Sequence, residues 1–159
     1  MLNVATDLKR LSVYQYLSTE VHRPYCGSTH ALFGKRIEDP RDLARERFVL
    51  AGDAEPDELT EFRTTCSLGT RIADVTEHVE EAKHLTMLGR GLCFLPEGHA
   101  LSDVAAGRLW PLLDAEAAPH VYVFIIENPN ASPCDFGLAF RGALLQRSLL
   151  MPVEQYVNA

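Results

Sequence analysis

Residues 75–113 read VTEHVEEAKHLTMLGRGLCFLPEGHALSDVAAGRLWPLL, from Val75 to Leu113. Their order predicts a strand, an amphipathic helix, a glycine turn, a buried strand, a helix and an edge strand, with almost no slack between them. Thr76 is suited to cap the first helix, whose apolar positions Val79, Ala82, Leu85 and Leu88 recur at helical spacing. Glu77, Glu80 and Glu81 crowd its start, while Lys83, His84 and Arg90 lie toward its end, which complements the helix dipole. Gly89 and Gly91 stop it. Leu92-Cys93-Phe94-Leu95 is apolar on both faces, as a buried parallel strand should be. Pro96 ends that strand, Ser102 is placed to cap a short helix running through Ala105, and Gly107 is its stop.

Working outward, Val13 to Leu17 alternates around Tyr14 and Tyr16 and predicts a strand, with a second extended piece at Val21 to Cys26. Asp39 followed by Pro40 starts a helix to about Glu46, cap first and then a first-turn proline. Phe48 to Ala51 is a strand and Gly52-Asp53 a turn. Pro56 opens a helix that Gly69 closes, and Arg71 to Val75 is the next strand. Val121 to Ile126 is the most apolar run, and its β-branched content predicts a central buried strand. Ser132 to Asp135 resembles a capping box for a helix carrying Phe136, Ala139, Phe140, Ala143 and Leu144. Strands alternating with helices mean a parallel-rich α/β fold.

The run from Glu80 to Leu113 resembles the second regulatory subdomain of LysR-type transcriptional regulators. In that family a helix ending in small residues leads to an apolar strand closing in "LP", and an "AxGxL" segment follows. Upstream, Leu17 to Gly27 (LSTEVHRPYCG) and Ser28 to Gly34 (STHALFG) resemble the family's approach to a "GHPLF" motif. Asp42-Leu43-Ala44 and Phe48-Val49-Leu50 match its next helix and crossover strand. The likeness runs from about Tyr14 to Leu145, and its specificity lies in the ordered set.

The resemblance implies a type 2 periplasmic-binding-protein-like architecture of two Rossmann-like lobes. The second regulatory lobe would span 48–118, and a partial first lobe 1–47 and 119–159. Nothing in this sequence corresponds to the family's winged helix-turn-helix, its linker helix or the opening elements of its first lobe. The expectation is a member truncated at its N-terminus, without a DNA-binding domain, whose first lobe leaves apolar surface poorly covered. A shortened product with its own use is the alternative.

The net charge of −7 argues against holding nucleic acid by bulk electrostatics. The arginines between Lys35 and Arg47 are interrupted by Glu38, Asp39, Asp42 and Glu46, as on a solvated helix face. The four cysteines, Cys26, Cys66, Cys93 and Cys134, form no C-x-x-C pair and read as free thiols. The opening MLNVATDLKRL lacks a signal-peptide core and no apolar run approaches membrane-spanning length, so a cytoplasmic location and no membrane partner are expected.

His78 and His84 are six apart, not a one-face helical pair, and His22, His30, His99 and His120 stand alone, so no metal site is expected. Cys26, His30 and Asp53 make a nucleophilic triple on paper, but no nucleophile elbow accompanies them. No Gly-rich phosphate loop is present, and no cofactor is expected. In a two-lobed α/β protein, ligands sit at carboxyl ends of strands and at helix starts. That selects Ala51, Gly52 and Asp53, and Thr76, Glu77, His78 and Val79; ordinary turn and capping duties account for the same residues. The resemblance places the helix start at Glu77 to Val79 in an effector cleft, and many family effectors are small organic acids. Glutamates around that start would repel an anion, favouring a neutral or cationic ligand, or one using His78 as donor.

The expected function is therefore an effector-sensing, oligomerising domain without catalytic activity, binding a small molecule in the cleft between lobes. Its partners would be a second copy or full-length relatives, and DNA only through a helix-turn-helix absent from this sequence. A stand-alone α/β ligand-binding or interaction module is one alternative. A small α/β enzyme is another, and it requires a reactive group with a perturbed pKa in a cleft.

Overall fold

Asp39 begins the first helical turn as its sequence dictates: its carboxylate accepts from the Arg41 backbone N–H at 2.9 Å, and Pro40 follows. The turn, Pro40–Arg45, is a 3-10 helix, short enough for that tighter winding. The computed structural model describes residues 13–52, 55–127 and 134–149. Its strands are β1 (Val13–Gly27), β2 (Phe48–Ala51), β3 (Ile72–Thr76), β4 (Cys93–Pro96), β5 (Leu109–Pro111) and β6 (His120–Glu127). The α-helices are α1 (Asp57–Thr65), α2 (Val79–Met87), α3 (Glu97–Ala105) and α4 (Asp135–Leu149). The chain forms two compact units, one of residues 20–121 and one of 1–19 with 122–159.

In the unit of residues 20–121, β2 and β3 pair in parallel, and β1 pairs antiparallel with both β4 and β5. A parallel bridge joins Phe48 to Leu92. There Val49 N–H donates to Leu92 O at 2.7 Å and Leu92 N–H to Arg47 O at 2.8 Å. Gly91 permits this approach, because a Cβ there would lie 2.6 Å from the Arg47 carbonyl oxygen.

The pleat sorts the apolar residues onto two faces. Cys26, Phe48, Leu92 and Phe94 join Leu59 of α1 in one buried cluster. Tyr25, Val49, Cys93 and Leu95 join Ala82 of α2 and Ala100 of α3 in another. Each fully buried side chain of this size contributes about 1.5–3 kcal/mol, so the sheet with helices on both faces holds the unit together.

The α/β class expected from the sequence stands, but only the two-stranded β2–β3 sheet is parallel, and the β1–β4 and β1–β5 pairs of the four-stranded sheet are antiparallel. Leu92 to Leu95 is buried as expected, but β4 runs antiparallel to β1. The two extended pieces expected at Val13 and Val21 are one continuous strand. Thr76 is not a helix cap. It pairs with Ala51 as the last residue of β3, so the helix starts at Val79 behind His78. Leu88 falls after the last helical turn of α2 and is 75% exposed, whereas Thr86 takes the buried position. Ser102 lies inside α3, which starts directly after Pro96 and ends before Gly107 at φ +69°.

Lys83 of α2 is buried, with its Nζ 2.9 Å from Glu80 and 3.4 Å from Asp103 of α3. The Arg108 guanidinium holds the Asp103 carboxyl below the usual carboxylate range, and Lys83 adds to the effect. The network ties α2 to α3.

In the unit of residues 1–19 and 122–159, Tyr16 meets Phe124 edge-on with ring centroids 6.1 Å apart. Arg141 of α4 reaches Gln15 Oε1 at 3.3 Å. Val121 to Ile126 lies in a strand, β6, which pairs with β1, but the expected central burial is not found. Tyr122, Phe124 and Ile126 are exposed on alternate positions. Phe136 and Phe140 stack on each other on the exposed face of α4. Ser132 and Pro133, expected to start that helix, lie outside the described residues.

Candidate functional site

Three kinds of backbone end converge on a cavity of about 420 Å³ within the unit of residues 20–121. β2 contributes its carboxyl end from Val49 to Gly52, α1 its start through Glu55, Pro56 and Leu59, and α2 its start through Glu77 and Val79. β1 adds His22, and β4 adds Phe94 and Pro96. This is the strand-end, helix-start location at which α/β sheets hold ligands.

Local chemistry fixes each wall. Gly52 turns the chain at φ +74°, a conformation that costs side-chain-bearing residues, while its N–H donates to Thr76 O at 2.8 Å. The Thr76 hydroxyl donates to Leu50 O at 3.3 Å or to His78 O at 3.1 Å, tying the end of β2 to the start of α2. Phe94 is held by a stacked Phe48 ring at 5.9 Å and by the edge-on Phe62 of α1 at 6.1 Å. The apolar walls are therefore pre-formed.

The polar groups divide by pairing. Arg63 Nη1 of α1 lies 2.7 and 2.6 Å from the two Glu55 carboxylate oxygens, and Thr60 donates to the same carboxylate at 3.2 Å. Glu77 is exposed and has no hydrogen bond or ion pair among the described residues. His22 is buried, with Nε2 3.6 Å from Glu20 Oε2. Burial pushes its pKa down, outweighing the upward pull of Glu20, Glu55 and Glu58, so the ring is neutral at neutral pH. Among the described residues, no lysine or arginine lines the cavity.

Of the residues selected from sequence, Ala51, Gly52, Glu77 and Val79 line this cavity together. Thr76 and His78 do not line it; Thr76 braces it, and His78 stands at the N-terminal cap of α2 without a side-chain capping bond. Asp53 lies outside the described residues. Sequence reasoning missed His22, Glu55, Phe94 and Pro96. Glu55 carried a usable signal, since it directly precedes the helix-opening Pro56.

The other candidates assemble no chemistry. The Cys26 thiol is buried and pushed up to about 11, far from the thiolate a nucleophile requires. Cys93 is likewise raised by burial, to about 12. His30 pairs with Glu46 at 3.5 Å and accepts from the Leu32 N–H. The four cysteines are free, and among the described residues no group of three metal-ligating side chains occurs. No helix among them is long and apolar enough to cross a membrane.

The family described as the LysR substrate binding domain matches residues 10–134. No curated protein sequence matches the chain. Among solved structures, the effector-binding domain of QuiR in complex with shikimate is similar at 14% identity and a TM-score of 0.74, covering 92% of this chain and 77% of that one. The regulatory domain of CcmR from Synechocystis PCC6803, in complex with 2-PG, is 17% identical with a TM-score of 0.74, over 89% of this chain and 69% of that one. The effector domain of AmpR of Pseudomonas aeruginosa is 16% identical with a TM-score of 0.66, over 88% and 67%. These neighbours are regulator effector domains, not enzymes, and at such identities they speak to the fold.

Proposed function

The chain belongs to the LysR substrate-binding-domain family, and from that premise we propose that it senses a small-molecule effector in the cavity at the ends of β2 and β4. One observation carries the reading: the 420 Å³ cavity sits where strand ends and two helix starts meet, and its apolar walls are already packed. The complexes of QuiR with shikimate and CcmR with 2-PG support a small molecule as the ligand class. In this reading Gly52, Glu77 and Val79 touch the effector, with Asp53 beside them in sequence, while Thr76 and His78 hold the start of α2 in place. The lobe division of 48–118 against 1–47 with 119–159 belongs to the same proposal. So does association with a second copy or a full-length relative, for which the exposed aromatic side chains of α4 offer apolar area. DNA would be reached through a helix-turn-helix domain and not through the elements described here.

The test is chemical-shift mapping of the isotope-labelled chain against a library of small metabolites. Saturable shifts centred on Gly52, Glu77 and Val79 are expected. Ligands that shift only α4, or residues scattered over the surface, would refute the cavity as the sensing site.

A further inference from the structure

The walls of the cavity are unequal in charge, and the inequality selects a ligand. Among the described residues, no lysine or arginine lines it. Glu55 is already neutralised by Arg63, which reaches both of its carboxylate oxygens. The positive end of α2 is complemented by Glu80 and Glu81 in its first turn, and Glu80 is in turn held by Lys83 and His99. His22 is buried beside Glu20 and cannot take a proton cheaply. What remains is Glu77, a carboxylate at the rim without a partner among the described residues, above walls of Val49, Leu59, Phe94 and Pro96.

We propose that this cavity takes a protonated amine with a compact apolar body, its ammonium paired with the Glu77 carboxylate and its hydrocarbon part against Phe94, Leu59 and Pro96. The assignment rests on the effector reading above and specifies its ligand class. A carboxylate ligand would instead meet Glu77 with like charge and find no lysine or arginine among the described lining residues, while the dipole of α2 is already answered by the protein's own acids. The neutral His22 adds to the fit. A neutral imidazole on the wall offers an anion no positive charge to pair with. An ammonium group in a partly apolar site gains more from a single carboxylate than it would in open water, because the local dielectric is lower.

Three probes of nearly equal size separate the charge states: phenethylamine, 2-phenylethanol and phenylacetate. Titrated into the chain at pH 7.5 and followed at the Gly52 and Val79 amides, phenethylamine is expected to bind at least tenfold more tightly than phenylacetate, with the alcohol between them. Glu77→Gln should bring amine and alcohol within about threefold of each other while leaving the alcohol unchanged, and added salt should weaken the amine in the parent chain only. Phenylacetate binding as tightly as the amine at the same amides overturns the amine assignment and leaves the effector reading standing. An amine preference that survives Glu77→Gln overturns the role of Glu77. Binding of none of the three overturns the amine assignment too, while the metabolite library judges the effector reading separately.

Discussion

His22 stands directly opposite Pro96 in the antiparallel ladder between β1 and β4, and both side chains line the cavity. Cross-strand partners share a face, and residues two along do as well, so Phe94 comes to the same wall opposite Pro24. The register of one strand pair thus supplies three of the lining residues. A one-residue slip of β4 against β1 would turn Phe94 and Pro96 away and bring Leu95 to the wall beside His22.

His22 gives the site a pH signature. Its folded pKa lies below the ordinary 6.5 because burial disfavours the imidazolium. Below about pH 6.5 the unfolded chain takes up a proton that the folded ring resists, so stability falls on acidification until the folded pKa is passed. The slope from this one group has a ceiling of about 1.4 kcal/mol per pH unit. Urea midpoints between pH 8 and 5.5 should show the decline, and His22→Gln should flatten it in the part of that range below about pH 6.5. An unchanged slope in the variant would assign the decline to other groups.

Arg63→Ala should destabilise the unit of residues 20–121. Both partners of the Arg63–Glu55 pair are mostly buried, and removal of the guanidinium leaves the Glu55 carboxylate facing the cavity uncompensated. A partly buried pair of this kind is worth about 1–3 kcal/mol to break, between exposed and fully buried pairs. The double variant with Glu55→Gln should recover part of the loss in chemical denaturation. A loss below about 0.5 kcal/mol in the single variant would mean that the pair does not anchor the start of α1.

Leu95→Ala and Leu88→Ala should differ sharply. Leu95 is fully buried between β1, α2 and α3, and truncation there should cost about 2–5 kcal/mol. Leu88 is 75% exposed at the end of α2, and its truncation should stay within about 0.5 kcal/mol. Comparable losses from the two would contradict the helix face described here.

The contrast between Leu88 and Leu95 marks where the sequence was legible. Elements set by neighbours along the chain could be read: the Asp39-Pro40 start, the strand at Phe48 to Ala51, the apolar run before Pro96. So could the placement of Gly52, Glu77 and Val79, because strand ends and helix starts are local features. Pairing direction could not, since β4 meets β1 across some 70 residues of chain, and an apolar run looks alike in parallel and antiparallel company. For the same reason His22 and Phe94 were invisible as cavity residues. Thr76 was misread because a threonine before a helix can cap it or end the preceding strand, and only its pairing with Ala51 decides. The run from Val121 to Ile126 shows a further limit: composition favours a strand but does not say what covers its faces.

Exposed aromatic area predicts self-association. Phe136 is 80% and Phe140 57% exposed, and the two stack with each other on α4. Replacing both with lysine should lower the weight-average mass in sedimentation equilibrium while leaving the thermal midpoint of the 20–121 unit nearly unchanged. Association that persists unaltered in Phe136→Lys/Phe140→Lys would place the contact elsewhere.

The central claim, that the cavity bounded by the ends of β2 and β4 holds the effector, is tested most directly by a crystal structure of the chain with the tightest-binding small molecule from the metabolite library. The account predicts density for that molecule against Gly52, Val79 and Phe94, with a polar group within hydrogen-bonding distance of the Glu77 carboxylate. Well-ordered density for it anywhere else, with the cavity filled only by solvent, would contradict the account.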